Sequence, residues 1–273
     1  MGFVFDQDDA QRQEAWYQTE TGRECLRLQK RLMLRLIRPT PGERLLDVGC
    51  GSGIHLQIFK REGLTVTGLD PSAAMLKMAE IRLGGRIDLC PGQAEDLPFE
   101  DNAFDIVTLI TCLEFADDPE TALAEAVRVS RSRIFIGVLN SLSLTAMLYR
   151  INGLFRDSPY NRARFFSLWD LAPMVRRLAG SDSIRWASAG LLPPGLLRYG
   201  SSFEARPLVQ RNPFGAFLGL AADMTYRLRT DNLPLKTGLK LAGKHAPSTT
   251  SCLQANPGPP RLDLDPSTKE MNI

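Results

Sequence analysis

The sequence predicts a doubly wound α/β fold around a mostly parallel sheet, and two observations carry this prediction. Short apolar runs alternate with amphipathic helical patterns between residues 43 and 139. Strands that alternate with helices are joined by crossover connections, which produce parallel sheets. The glycine-rich stretch Asp47–Gly53 stands between an apolar run and a helical pattern, which is the usual place of a ligand-binding turn. The sequence therefore predicts a ligand site at the carboxyl ends of the strands.

The first predicted element is a helix over residues 22–37. Its Leu28, Leu32 and Leu36 recur at helical spacing, and Pro39 ends it. The same reasoning then predicts strands at 43–48, 65–70, 86–90, 104–111 and 133–139, and helices at 52–62, 72–83 and 118–130.

The pattern becomes less regular after residue 140. Helical segments are predicted near 142–153 and 167–179, and strands near 183–189 and 215–220. From about residue 244 the chain is rich in Pro, Ser, Thr, Gly and Asn without apolar periodicity, so this end is expected to be disordered.

Composition excludes several classes of protein. The chain has 273 residues and a net charge of +2. General nucleic-acid binders have a much larger excess of basic residues, so this class is not expected. Its five cysteines are scattered and it has two histidines, so neither a metal site nor a disulfide framework is predicted. No signal peptide or membrane-spanning run is apparent, and a cytoplasmic location is expected.

The turn itself indicates the kind of ligand. Gly49, Gly51 and Gly53 follow the pattern G-x-G-x-G, whereas a dinucleotide fingerprint reads G-x-G-x-x-G. Glycines let the backbone approach a ligand, and Asp47 before them disfavours a pyrophosphate and favours a cationic group. Asp70 ends the next predicted strand about 20 residues further on, where such folds bind ribose hydroxyls.

These residues, together with Gly68-Leu69-Asp70-Pro71-Ser72 and Gln93-Ala94-Glu95-Asp96-Leu97-Pro98-Phe99, resemble class I S-adenosylmethionine-dependent methyltransferases. The likeness is to the small-molecule group that includes the ubiquinone, menaquinone and biotin-pathway enzymes. It extends well over residues 12–140 and more loosely to about residue 222.

The resemblance implies a Rossmann-like methyltransferase fold of seven strands whose last two are antiparallel. It implies a methyltransferase domain over residues 1–225, with an N-terminal lid at 1–40 and a substrate-side insertion at 140–214 before the last strands. Residues 226–273 form a C-terminal extension of unassigned role. The implied activity is methyl transfer from S-adenosylmethionine to a small-molecule acceptor by in-line displacement.

The resemblance also implies a set of cofactor contacts. Asp47 would face the ammonium of the methionine moiety, and Asp70 would accept hydrogen bonds from the ribose hydroxyls. Met75 would pack on the adenine face, or would only pack its helix against the sheet. The full set is Tyr17, Asp47, Gly49, Cys50, Gly51, Gly53, Asp70, Pro71, Met75, Ala94, Glu95, Thr111 and Leu113.

No residue is marked out as the catalytic base. His55, Glu114 and Tyr160 are candidates, and Asn140 and Arg164 are candidate substrate contacts. His55 either acts as a base or lies on the helix surface, and Glu114 either contacts substrate or is a solvated loop carboxylate. The acceptor, its reacting atom and the oligomeric state cannot be read from the sequence.

Alternatives remain at this point. One is a non-catalytic domain that binds S-adenosylmethionine for sensing or assembly, and a less favoured one is a nicotinamide-dependent oxidoreductase. Two groups of arginines also leave alternatives open: one is spaced four residues apart between residues 23 and 35, and the other lies between residues 150 and 177. They either form solvated faces or allow weak contact with an anionic membrane surface.

Overall fold

The computed structural model describes residues 4–85, 87–153, 162–181, 183–192, 203–204 and 206–224. The helices of this part are α1 (Gln7–Gln18), α2 (Glu20–Ile37), α3 (Ile54–Arg61), α4 (Ala73–Leu83), α5 (Pro119–Val129), α6 (Leu144–Gly153) and α7 (Leu168–Ala179), with a short 3-10 helix at Val209–Arg211. The strands are β1 (Arg44–Val48), β2 (Thr65–Asp70), β3 (Asp88–Pro91), β4 (Phe104–Ile110), β5 (Ser130–Leu139), β6 (Ile184–Ala189) and β7 (Phe217–Asp223).

The strands form one sheet in the order β3-β2-β1-β4-β5-β7-β6. The first five strands run parallel to their neighbours, and β7 lies antiparallel between β5 and β6. The predicted doubly wound, mostly parallel seven-stranded sheet is therefore confirmed. The strand order reverses beside β1, so the carboxyl ends of β1, β2 and β4 border one crevice.

Each face of the sheet is covered by its own helices. Strand residues such as Leu46 and Ile134 pack in a cluster with α5 and α7, whereas Leu45 and Phe135 pack in a second cluster with α2, α3 and α4. Neighbouring residues of one strand thus enter opposite clusters, as the alternation of side chains in a strand requires. Both faces are buried, which explains why the strands read as continuous apolar runs.

Helix α1 was not predicted, because the first predicted helix begins only at residue 22. Its buried residues are Asp9, Ala10 and Tyr17, which make no apolar stripe that periodicity would reveal. A capping box formed by Asp6 and Asp9 begins the helix, and Thr19 then caps α2.

The range of the proposed substrate-side insertion, 140–214, includes elements of the sheet and its cover. It contains α7, which packs against the sheet, and β6, which is an edge strand of the sheet itself. Both elements contribute to the buried core, α7 through Leu171 and Val175 and β6 through Ala187 and Ala189. Additional material within the described part of this range is confined to 140–167 and 190–216. The expected disordered end lies outside the described residues.

Candidate functional site

The turn after β1 is built from three glycines with different surroundings. Gly49, Gly51 and Gly53 all have positive φ, at 70°, 53° and 74°. A Cβ on Gly49 would lie 2.6 Å from Cys112 Sγ, and a Cβ on Gly53 would press on α4. A Cβ on Gly51 would meet nothing closer than Gln13 Oε1, at 3.8 Å. The outer glycines thus serve packing, whereas Gly51 leaves open space above the turn.

Asp70, at the end of β2, is held rigidly beside this turn. Its Oδ2 accepts a hydrogen bond from the Gly51 N–H at 2.8 Å, and its Oδ1 accepts one from the Ser72 N–H at 2.9 Å. Burial raises its pKa, while these two hydrogen bonds act in the opposite direction. Each carboxylate oxygen keeps a lone pair free for a hydroxyl donor.

Asp47 lies beneath the turn and does not line the cavity. The structure therefore shows no direct access of its side chain to a ligand in the cavity. Its Oδ1 accepts a hydrogen bond from Thr108 Oγ1 at 2.6 Å, and its Oδ2 has no partner. Burial raises its pKa to about 7, opposed by the Thr108 hydrogen bond and supported by the nearby Asp70 charge. Gly53 likewise lies outside the cavity lining.

A cavity opens above the turn, bounded by five parts of the chain: the N-terminal segment with α1, the turn with the start of α3, the end of β2 with the start of α4, the loop before residue 96, and the end of β4 with the loop that follows it. Ten of the predicted cofactor contacts line it. They are Tyr17, Gly49, Cys50, Gly51, Asp70, Pro71, Met75, Ala94, Glu95 and Thr111. The lining residues that sequence reasoning did not propose include Val4, Phe5, Gln13, Ser52, Ile54, Ile110, Cys112, Phe115 and Ala116.

The N-terminal segment closes one side of this cavity. The Phe5 ring meets the Phe115 ring edge-on, with centroids 5.0 Å apart, and the Phe5 carbonyl accepts a hydrogen bond from Ser72 Oγ at 2.6 Å. Further along, Glu14 of α1 forms an ion pair with Arg82 of α4. These contacts join residues far apart in sequence, so local patterns gave no signal for them.

His55 is buried at the start of α3 rather than exposed on the helix surface. It is 5% exposed and lines the cavity, and its Nε2 has no hydrogen-bond partner. Burial, and then the charge of Arg82, lowers its pKa to about 4. The ring is therefore neutral at pH 7 and a weak base. The neighbouring Ser52 hydroxyl is also buried and without a partner.

The loop after β4 begins with a strained residue. Thr111 has φ of +50°, a region that β-branched residues rarely adopt, and its N–H donates to the Gly137 carbonyl at 2.7 Å. Its side chain borders the cavity. Leu113, in contrast, is fully buried in the core and does not line the cavity, so its contact with the cofactor stays a prediction.

Glu114 is buried and is not a solvated loop carboxylate. Its Oε1 accepts a hydrogen bond from the Leu139 N–H at 2.6 Å, and its Oε2 has no partner. Burial raises its pKa to about 8. The side chain does not line the cavity, so the structure gives it no contact with a ligand there.

The two predicted substrate contacts also lie away from the cavity. Asn140 is fully buried, and its Nδ2 donates to the carbonyls of Pro213 and Gly215 at 2.7 and 2.8 Å. Arg164 is exposed, and its N–H donates to the Glu114 carbonyl. Asn140 is therefore a structural residue, because its polar atoms already have backbone partners. Tyr160 lies outside the described residues.

Two other features bear on possible ligands. Among the described residues, no group of three His, Cys, Asp or Glu side chains is arranged to hold a metal ion. In the same part of the chain, no helix has the length and apolar character needed to cross a membrane.

Comparisons with known proteins agree with this geometry. A family model described as a methyltransferase domain matches residues 46–135. The demethylmenaquinone methyltransferase of Renibacterium salmoninarum is 40% identical over 102 residues, which are 37% of this chain and 43% of that protein. The ubiquinone biosynthesis O-methyltransferase of Thiobacillus denitrificans is 31% identical over 149 residues, covering 50% of this chain and 64% of that protein.

A solved structure shows the same fold. It is a methyltransferase of Thermotoga maritima that depends on S-adenosylmethionine and is described as a possible histamine N-methyltransferase. The TM-score is 0.59 at 22% identity, over 80% of this chain and 98% of that chain. The match to the two curated relatives is shorter, since the chain spans about half the length of those proteins.

Proposed function

Because the chain belongs to the S-adenosylmethionine-dependent methyltransferase family, we propose that it transfers a methyl group from this cofactor to a small-molecule acceptor by in-line displacement. The observation that carries the proposal is the hydrogen bond from the Gly51 N–H to Asp70 at the edge of the cavity. Family membership sets aside the oxidoreductase alternative.

The residues present fit this cofactor. Asp70 offers two fixed acceptor oxygens for ribose hydroxyls, and Gly51 leaves room where a Cβ would intrude. Met75, Ala94 and Glu95 lie on the same side of the cavity and suit the adenine end. The unpartnered Asp47 Oδ2, one layer below, favours a nearby ammonium through its charge.

When bound, S-adenosylmethionine supplies an activated methyl group on a sulfonium sulfur. The protein's own contribution is alignment and exclusion of water. The contacting rings of Phe5 and Phe115 cover part of the cavity, and Tyr17 of α1 adds a third aromatic side chain to its lining. We therefore assign the N-terminal segment and α1 as the lid of a methyltransferase domain over residues 1–225.

The acceptor side is mostly apolar. Val4, Phe5, Phe115 and Ala116 supply aromatic and aliphatic surface there. We propose an acceptor with an apolar body, in line with the menaquinone and ubiquinone named for the curated relatives. His55 is poorly suited as its general base, because a pKa of about 4 lies far below neutral pH.

Weak contact with an anionic membrane surface is a further part of this proposal, as is a cytoplasmic location. Arg23, Arg31 and Arg35 are exposed along α2, whereas Arg27 forms an ion pair with Glu24. Co-sedimentation with anionic vesicles at low salt tests the contact, and equal recovery with neutral vesicles would remove it.

The experiment that tests the function is calorimetric titration with S-adenosylmethionine and S-adenosylhomocysteine. Asp70→Ala should weaken both about 100-fold, because two hydrogen bonds to a charged group are lost. Asp88→Ala removes an exposed carboxylate from the far end of the neighbouring strand and should bind like wild type.

Two results would contradict the proposal. One is absence of binding by folded wild-type protein, and the other is equal binding by wild type and Asp70→Ala. Binding is then followed by an acceptor screen read by mass spectrometry. Binding without turnover across a broad panel would favour the non-catalytic alternative.

A further inference from the structure

The first turns of α6 expose their large apolar side chains. Leu144, Met147 and Leu148 share one face of the helix, because they follow the spacing i, i+3, i+4, and they are 43%, 50% and 38% exposed. Ala146, on the other side of the helix, is 2% exposed. A helix that packs only against its own core shows the reverse arrangement, with its large apolar residues buried. The apolar side of α6 is therefore turned to solvent.

A second exposed apolar stretch lies beside the start of α6. The Asn140 side chain donates hydrogen bonds to the carbonyls of Pro213 and Gly215. It also accepts a hydrogen bond from the Leu142 N–H at 3.2 Å. This amide holds Leu142 beside the backbone of Phe214, and the side chains of these two residues are 46% and 52% exposed. The segment before residue 214 exposes two further large apolar side chains, Phe203 and Leu208.

This apolar exposure is concentrated rather than scattered. Of the twelve large apolar side chains that the described part of the chain exposes, seven belong to residues 142–148 and 203–214. Single exposed apolar residues are normal on protein surfaces, whereas a group of them marks a surface that contacts a partner or a membrane. We call the exposed apolar side chains of residues 142–148 and 203–214 the apolar face.

Arginines accompany the apolar face. Arg206 and Arg211 are exposed within residues 203–214, and the guanidinium carbon of Arg206 lies 5.9 Å from the centre of the Phe203 ring. Burial, and then the charge of Arg211, lowers the pKa of Arg35, so Arg35 of α2 lies near this segment. The row of arginines along α2 therefore continues to the apolar face.

No exposed carboxylate offsets these arginines within the same stretches. Residues 140–150 and 203–216 contain a single acidic residue, Glu204. Glu204 is 1% exposed, and its carboxylate accepts hydrogen bonds from the three N–H groups of residues 190–192. The surface thus combines exposed apolar side chains with a net positive charge, which complements an anionic partner.

The apolar face adjoins the acceptor side of the cavity. Phe115 and Ala116, in the loop after β4, line that side. The same loop contains Glu114, whose side chain accepts a hydrogen bond from the Leu139 N–H at 2.6 Å. Leu139 ends β5, three positions before Leu142 of the apolar face. A partner bound at this face would therefore lie near the part of the cavity proposed for an apolar acceptor.

We propose that the apolar face inserts into the headgroup region of an anionic lipid bilayer, with Arg35, Arg206 and Arg211 contacting lipid phosphates. A helix that combines an apolar face with nearby arginines is typical of interfacial membrane contact. A bilayer takes up such side chains without the matching groove that a protein partner would need, and anionic headgroups account for the arginines. The inference adds an inserted face to the weak membrane contact of the α2 arginines, and it rests on the proposed function for its link with an apolar acceptor.

The test is co-sedimentation with vesicles of phosphatidylglycerol and phosphatidylcholine in equal amounts, and with vesicles of phosphatidylcholine alone. Wild type should partition at least about tenfold more strongly to the anionic vesicles, because several arginines contact the headgroups. The triple variant L144Q/M147Q/L148Q should lower the partition coefficient for anionic vesicles at least about tenfold, since three apolar side chains no longer insert. The double variant R206Q/R211Q should lower it by a similar factor and weaken the preference for anionic lipid.

Ile81→Gln is the matched control for the triple variant. Ile81 is 76% exposed on α4, which packs against β2 and β3, at the other end of the sheet from β6 and β7. This variant should bind vesicles like wild type, because it changes a surface that does not insert. Without vesicles, all variants should bind S-adenosylhomocysteine like wild type, because none of the substituted residues lines the cavity. Calorimetry of this ligand therefore confirms that each variant is folded.

Three vesicle results would overturn the inference: equal partition of wild type to the two kinds of vesicle, equal partition of wild type and the triple variant, and an equal loss in Ile81→Gln. A wild-type dimer in analytical ultracentrifugation that the triple variant does not form, without vesicle binding by either protein, would assign the face to a second copy of the chain and overturn the inference as well. If folded wild type partitions to vesicles as expected but does not bind S-adenosylhomocysteine, the proposed function fails and the docking face stands.

Discussion

Two buried polar regions of this molecule differ in how completely their hydrogen bonds are made. The first, here the cofactor edge, comprises Asp47, Ser52, His55 and Glu114. Each has a buried side-chain atom without a partner, and the only other such residue in the described part of the chain is Gln29. A buried unpaired polar group costs about 1–3 kcal/mol.

The second region, here the C-terminal junction, comprises Asn140, Ser188 and Glu204. These residues are as deeply buried, yet backbone groups satisfy all three. Glu204 accepts hydrogen bonds from three consecutive N–H groups at 190–192, and Ser188 donates to the Asn212 carbonyl. The comparison shows that burial alone does not distinguish the two regions, whereas the number of hydrogen-bond partners does.

The largest expected effect breaks the C-terminal junction. Asn140→Ala removes two hydrogen bonds to carbonyls and one from the Leu142 N–H, so the free energy of unfolding should fall by about 3 kcal/mol. Affinity for S-adenosylhomocysteine should not change. Urea denaturation and calorimetry measure the two quantities.

Ser141→Ala, at the half-buried neighbouring residue, is the control for Asn140→Ala and should leave both quantities near wild type. If Asn140→Ala weakened ligand binding while stability stayed intact, Asn140 would return to the functional site.

An intermediate effect concerns the pH dependence of stability at the cofactor edge. Burial raises the Glu114 pKa from 4.5 to about 8, so the folded state holds a proton that the unfolded state has released in this window. Stability is therefore lost as pH rises toward 8, by roughly 2 kcal/mol between pH 6 and 8. Asp47, with a pKa of about 7, adds to the same trend.

Glu114→Gln isolates the contribution of Glu114. The amide oxygen still accepts from the Leu139 N–H but does not ionise, so the loss of stability from pH 6 to 8 should be smaller than in wild type. Urea midpoints across this range measure it. Identical slopes for the two proteins would show that Glu114 does not titrate there.

The same comparison explains which features the sequence predicted. The sheet, the glycine turn and the position of Asp70 follow from local patterns, because strand, turn and helix stand next to one another in the chain. The contact between Phe5 and Phe115 joins residues 110 positions apart, so no periodicity in the sequence indicates it. Helix α1 was missed because its buried positions do not form an apolar stripe.

Residue type also misled the prediction where the environment decides the role. Asn140 was proposed to contact substrate, yet its amide donates hydrogen bonds to the Pro213 and Gly215 carbonyls. Glu114 is chemically suited to a solvated loop, but the loop turns its side chain toward β5. Only the three-dimensional structure shows which partners these two side chains have.

The smallest expected effect on stability sharpens the comparison within the glycine turn. Gly51→Ala should cost about 1 kcal/mol of stability, because alanine at φ +53° is strained while its Cβ meets no close neighbour. Gly180→Ala is a matched control, with φ of +61°, open space around the Cβ and a position at the end of α7. The two variants should lose similar stability, measured by urea denaturation.

Only Gly51→Ala should weaken the binding of S-adenosylhomocysteine, since its Cβ enters the space above the turn. Equal ligand affinity in both variants would mean that no ligand approaches the backbone at Gly51, and the cofactor edge would lose its central contact.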